Sequence, residues 1–293
     1  MKRFFYFYKS MRLDMIITKN NIVHGRHNKP ILVDVFYEQT QEQKPIVIFC
    51  HGYKGFKDWG AWNLMAKAFA DAGFFFVKFN FSHNGGTVED PIDFPDLEAF
   101  GNNNFIKELD DLESVMNWVS SAPHFSSEVD VNELSLLGHS RAGGIVSIKA
   151  AEDKRVTKVI ALAGVSDFGS RFPTSGDLEH WKKEGVAYVV NGRTHQKMPH
   201  FYQFYENFIA NKERLTIQRA VKSIDIPHLI IHGDKDTSVP LEEGKAQQQW
   251  NPKSELVIMK NTDHVFNSSH PWTKEELPDA LKFLVQKCIE FLR

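Results

Sequence analysis

The stretch from Glu133 to Gly144, ELSLLGHSRAGG, constrains the fold of this chain more than any other. It reads as a short buried strand, a sharp turn centred on Ser140, and the first turn of a helix. Such a turn lifts a serine hydroxyl above the edge of a sheet and points the next backbone N–H, that of Arg141, into the same space. Small residues must flank the turn, because the backbone passes close to its neighbours. Gly138 and Ala142 meet that need, with Ala142 at a position where the usual G-x-S-x-G pattern has glycine.

The rest of the chain supplies the sheet that this turn requires. Strand-like and helical runs alternate from about residue 15, the pattern of a mostly parallel sheet covered by helices on both faces. Strands are expected at Met15–Thr18, Ile31–Tyr37, Pro45–Cys50, Phe74–Phe81, Ser135–Leu137, Val159–Ala163, His228–His232 and Leu256–Met259. Helices are expected at Trp62–Ala72, closed by Gly73, at Ile106–Trp118 and at Leu277–Leu292. The acidic run from Glu108 to Glu113 falls within the second helix and reads as a solvated face.

One segment breaks the alternation. Residues 169–222 hold no clear strand and are too long for a plain crossover. They are rich in aromatics, among them Phe172, Trp181, Tyr188, Phe201, Tyr202, Phe204, Tyr205 and Phe208. This is expected to be a partly helical insertion between the sixth and seventh strands, lying over the sheet edge as a lid. Residues 1–14 read as a loosely ordered leader, with Met11 or Met15 as candidate starts, and 15–293 as a single domain. With 293 residues, 42% of them hydrophobic, a large core can be buried. A formal net charge of −2 gives no reason to expect nucleic acid as a partner. No run approaches a membrane span, so no stable membrane insertion is expected. The two cysteines, Cys50 and Cys288, are too sparse for a disulfide framework and suit a reducing, cytoplasmic setting.

A serine hydroxyl is a weak nucleophile until a base lies within hydrogen-bond reach, and that base is normally a histidine oriented by a carboxylate. Two downstream runs offer these groups just past predicted strands, in the chain order Ser, acid, His. IIHGDKDTSVP carries Asp234 and Asp236, and VIMKNTDHVF carries His264, with His270 as a rival base a little further on. Open parallel sheets collect their sites at this C-terminal edge. His139 adjoins Ser140 and should point away from its hydroxyl. His51 reads as a hydrogen-bonding residue beside the site, and His232 as a strand residue turned to the core. No metal-ligand spacing occurs, and the glycines of Gly52–Gly60 match neither a phosphate loop nor a dinucleotide fingerprint.

These four features together resemble the α/β-hydrolase superfamily, in particular its dienelactone-hydrolase-like and serine-esterase branches, from about residue 15 to the end. The resemblance implies that the acid of the H-G-x-x-D-x-x-V-P run is Asp236 and that the base of the D-H-x-F run is His264. It also implies that the residue after His51-Gly52, Tyr53, joins Arg141 as a backbone donor of the oxyanion hole. Dienelactone hydrolases use a cysteine, so Ser140 favours ester cleavage. His51, Ser82, Trp181, Arg193 and Phe201 are the candidate pocket residues. The expected reaction is cleavage of carboxylic esters with small, apolar or aromatic acyl groups, with no cofactor and no metal. A thioesterase using a rim of Lys182, Lys183, Arg193 and Lys197, a prolyl-oligopeptidase-like peptidase, and a binding module that captures a ligand without turnover remain as alternatives.

Overall fold

The computed structural model describes residues 14–40, 42–172 and 177–293. The candidate leader therefore lies outside the described residues, apart from Asp14. The strands are β1 (Met15–His24), β2 (Pro30–Glu38), β3 (Lys44–Cys50), β4 (Phe75–Asn80), β5 (Val129–His139), β6 (Val156–Leu162), β7 (Val186–Val190), β8 (Lys197–Phe201), β9 (His228–Gly233) and β10 (Glu255–Met259). The helices are α1 (Trp62–Asp71), α2 (Leu97–Gly101), α3 (Phe105–Ser121), α4 (Arg141–Glu152), α5 (Leu178–Glu184), α6 (Gln203–Ala210), α7 (Ile217–Ser223), α8 (Leu241–Trp250) and α9 (Asp279–Leu292).

Eight strands form one sheet in the order β1-β2-β4-β3-β5-β6-β9-β10. β2 runs antiparallel to both its neighbours, and every pairing from β4 through β10 is parallel. The central strands are apolar on both faces because both faces are covered. In β3, Ile46, Ile48 and Cys50 enter one core, with residues of α3, α4 and α7, while Val47 and Phe49 enter the other, with α1 and α9. Cys50 and Cys288 are both free thiols buried in these cores. Burial pushes the Cys288 thiol well above the usual thiol range, away from the thiolate form, so it acts as a small apolar filler.

Two expectations need correction. The insertion between β6 and β9 does contain strands: β7 and β8 pair antiparallel as a separate hairpin. The run Val186-Ala187-Tyr188-Val189-Val190 before Asn191-Gly192 carries the β-branched, turn-bounded signature that marks it. Nor is the acidic run of α3 a solvated face, since Glu108, Asp110 and Asp111 are buried. The N-terminal half of α3 passes under the C-terminal edge of the sheet. There its acids meet cations: Glu108 lies 3.2 Å from Arg141, and Asp110 lies 3.2 Å from Arg26.

Candidate active site

Ser140 joins β5 to α4 in a backbone conformation that a side-chain-bearing residue rarely adopts, with φ 59° and ψ −121°. Three hydrogen bonds hold it there. Its N–H donates to Leu162 O at 2.8 Å, and its carbonyl accepts from Gly143 N at 2.9 Å and Val165 N at 3.2 Å. The turn closes because its neighbours are small. A Cβ on Gly138 would stand 2.2 Å from Ala142 O, and one on Gly52 would stand 2.8 Å from Ser140 Cβ. Ala142 is itself fully buried, so a methyl group at that position is accommodated.

The structure brings three of the singled-out side chains together at this turn. Ser140 Oγ–H donates to His264 Nε2 at 2.9 Å, and His264 Nδ1–H donates to Asp236 Oδ2 at 2.7 Å. Asp236, not Asp234, occupies the position facing the imidazole. Its other oxygen, Oδ1, accepts from Ser238 N at 2.9 Å and Val239 N at 2.8 Å, which fixes the carboxylate. Burial works to raise the Asp236 pKa. Hydrogen bonds from His232, His264 and the Val239 amide outweigh it and hold the carboxyl below the usual carboxylate range. The result is an ionised acid at any pH near neutrality, beside an imidazole locked in the Nδ1–H tautomer.

The remaining histidines around the site are positional. His139 Nε2–H donates to the His264 carbonyl at 2.8 Å, and its ring stands 4.9 Å from that of His264. Burial, with the nearby His264 adding to it, pushes His139 down to about 3, so it stays neutral and keeps that proton. His51 Nδ1–H donates to Gly52 O at 2.9 Å, pinning the turn before Tyr53. Burial lowers His51 to about 4. His232 is fully buried on β9 and donates to Val239 O at 2.8 Å. His270 accepts from Gly60 N at 2.9 Å and stacks beside Trp59, so it is committed away from Ser140.

Two cavities meet at Ser140 and His264. The first, about 390 Å³, is lined by Tyr53, Lys54, Arg141, Val165, Phe168, Arg171, Ser238 and Val239. The second, about 230 Å³, shares Tyr53 and Lys54 with the first and is otherwise walled mainly by His51, Trp59, Trp62, His139, Asn191, Arg193 and Val265. Of the five candidate pocket residues, His51 and Arg193 line the second cavity. Ser82, Trp181 and Phe201 line neither. Ser82 is turned inward, with its N–H on Asp111 and its hydroxyl 2.8 Å from His83. Trp181 is the buried centre of the insertion, donating to His200 O and packing against Phe172, Tyr202 and Tyr205. Phe201 covers Gly101, where a Cβ would stand 2.9 Å from its ring. Arg193 is engaged in an ion pair with Asp93. Trp59, Trp62, Phe168 and Arg171 were not legible as walls, because each reaches the site from a loop or helix start whose path the pattern of polar and apolar residues leaves open.

Among the described residues no helix is long and apolar enough to cross a membrane. A model of the alpha/beta hydrolase family matches residues 47–274. The chain is 23% identical over 287 residues to the non-heme chloroperoxidase CPO-A1 of Kitasatospora aureofaciens, covering 86% of this chain and 96% of that one. Among solved structures it is similar to Est1E from Butyrivibrio proteoclasticus with ferulic acid bound. That match has a TM-score of 0.66 and 17% identity, over 93% of this chain and 97% of the other. A putative dienelactone hydrolase from Klebsiella pneumoniae is also similar, with a TM-score of 0.60 and 15% identity, over 95% and 98% of the two chains. The family match spans both the His51-Gly52 turn and the His264 loop, and the strand order and serine turn agree with it; the chain belongs to the α/β-hydrolase family.

Proposed function

We propose that this protein is a serine hydrolase that cleaves carboxylic esters through an acyl-enzyme, with Ser140 as nucleophile, His264 as general base and Asp236 as the acid that orients it. The single observation that carries this reading is the unbroken pair of hydrogen bonds, 2.9 Å and 2.7 Å, linking Ser140, His264 and Asp236 at the strained serine turn. His264 Nε2 takes the Ser140 proton as Oγ attacks the ester carbonyl. The carbonyl π pair moves onto oxygen, where the N–H groups of Tyr53 and Arg141 receive it. A donor of this kind contributes about 3–4 kcal/mol in a comparable enzyme. Collapse of that intermediate breaks the bond to the alcohol oxygen, which leaves with the proton from His264. A water then repeats the sequence on the acyl-enzyme, releasing the acid and restoring Ser140.

The insertion supplies walls to the site, Asn191 and Arg193 in one cavity and Arg171 in the other, in keeping with a lid role. The aromatic walls Tyr53, Trp59, Trp62 and Phe168 suit esters with apolar or aromatic groups, as does the likeness to an esterase holding ferulic acid. Ser140→Ala is expected to abolish both turnover of p-nitrophenyl esters and labelling by a fluorophosphonate, with an unchanged circular dichroism spectrum. Full activity in that variant would overturn the assignment. Acyl-CoA thioesters and aminoacyl nitroanilides, assayed beside the esters, separate esterase from thioesterase and peptidase; faster turnover of either would replace the ester reading.

A further inference from the structure

The first cavity has an uneven charge lining. Lys54, Arg141 and Arg171 reach it, Lys54 at its junction with the second cavity, and among the described residues the other ionisable groups on its wall belong to Tyr53 and His264. Arg171 has protein acceptors, Ser238 O at 3.0 Å and the Glu243 carboxylate. Arg141 is different. One of its five guanidinium N–H groups donates, to Glu108 at 3.2 Å, and no other described residue accepts from it. Yet it is only 9% exposed. Its guanidinium carbon lies among three rings, 4.3 Å from the centroid of Tyr53, 5.3 Å from Phe105 and 5.5 Å from Phe204. Lys54 also lies over the Tyr53 ring, its Nζ 5.1 Å from the centroid, with no ion-pair partner among the described residues. Burial and then the charge of Arg141 lower the Lys54 pKa, which is the sign of two cations sharing a space without an anion between them.

Cationic donors partly withdrawn from water without protein acceptors carry a desolvation cost, and a bound carboxylate relieves it by accepting several charge-assisted hydrogen bonds. The same wall also carries the apolar side chains of Val165, Phe168 and Val239. The acid half of an ester belongs in this cavity, since Arg141 lines it, whereas His139 and Val265, which flank the base, line only the second cavity. The alcohol, which takes its proton from His264, leaves on that second side. Resting on the ester-hydrolase reading, we infer that the preferred substrates are esters whose acid half is a short apolar chain ending in a second carboxylate, held by Lys54 and Arg141 with Arg171 opposite.

The test compares mono-p-nitrophenyl glutarate with its uncharged counterpart p-nitrophenyl valerate, and with the valerate ester of p-hydroxybenzoate, which carries the charge on the alcohol side. The wild-type kcat/KM for the glutarate ester should exceed that for valerate by about tenfold or more, the worth of one charge-assisted contact. The alcohol-side charge should bring no gain. Lys54→Met should collapse the glutarate-to-valerate ratio to near unity, and Lys54→Arg should restore most of it. A wild-type ratio near one overturns the inference while leaving the ester reading in place. So does a Lys54→Met variant slowed equally on both esters, which would make the cation a partner of the oxyanion instead. A gain from the alcohol-side charge overturns the placement of the acid half. Should no ester turn over, the ester reading itself falls. The subsite is then judged by equilibrium binding, where glutarate must bind about tenfold tighter than valerate and lose that advantage in Lys54→Met. Equal affinities would sink it.

Discussion

At the scale of single residues, the site depends on one imidazole being held by both of its nitrogens and by its own carbonyl. Asp236 fixes one nitrogen, Ser140 meets the other, and His139 grips the carbonyl at 2.8 Å. Asp236→Asn keeps the shape but presents an amide whose N–H₂ can face Nδ1 and turn the ring to the wrong tautomer. In a comparable triad that change costs on the order of 10⁴ in kcat, and a loss of that order is expected here with little change in KM. Steady-state kinetics checks it; a loss under tenfold would mean that Asp234 or another carboxylate carries the role. These residues were legible from the sequence because each sits in a short local motif just past a strand. Arg141 was legible only by half. Its backbone N–H follows from the turn, but the place of its side chain depends on Glu108, Tyr53 and Phe204, which the fold brings in from three separate segments.

At the scale of elements, the loop after β3 is anchored by charge. Lys57 lies 2.9 Å from Asp34 on β2 and 2.5 Å from Asp58, while Lys78 on β4 lies 2.7 Å from both acids. Asp34, Lys57 and Lys78 are all essentially without solvent exposure. Lys57 N–H also donates to Asn80 at 2.6 Å, so the loop that carries Tyr53 is tied to the end of β4. Taking one partner out of such a buried group leaves an uncompensated charge and costs about 3–5 kcal/mol. Lys78→Met should therefore lower the urea midpoint by that amount of stability, and adding Asp34→Leu should recover part of it. A single variant as stable as wild type would show that water already reaches the cluster. Nothing in the sequence marks this arrangement: Asp34 and Lys78 read as ordinary polar breaks in apolar strands, and only the antiparallel pairing Asp34↔Lys78 sets them side by side.

At the scale of the whole molecule, the mostly parallel sheet and its two covering layers followed from the alternation of apolar runs, because two-sided burial leaves a strong local pattern, whereas the order of the strands was not read from it. The insertion followed less well. β7 is half-exposed and pairs only with β8, so its β-branched run before Asn191-Gly192 was a short local signal inside a long aromatic-rich segment that was read as a partly helical insertion. The acids of α3 misled for a related reason: a charged run looks the same in sequence whether it faces solvent or buried cations. That placement has a global consequence through Asp111. Burial is the main cause that pushes its carboxyl up to about 7, with Glu108 and Asp110 adding to it against the hydrogen bonds from Ser82. Its folded pKa thus lies above the ordinary value of about 3.9, so the native state holds more protons than the unfolded chain across that window. The stability it contributes is fully present below the ordinary carboxylate range and is lost as pH rises through about 7. The buried histidines act in the opposite sense. His51, His139 and His228 are lowered to about 3–4 by burial, so their stability is present above the ordinary histidine pKa and lost as pH falls toward those values. The molecule is expected to be most stable where the two trends cross, slightly on the acid side of neutrality. Asp111→Asn isolates one of them. Its stability relative to wild type should rise between about pH 4 and about pH 7 and level off above that, read from urea midpoints across that range. A difference that stays flat with pH would mean that Asp111 is ionised throughout and that α3 tolerates its charge.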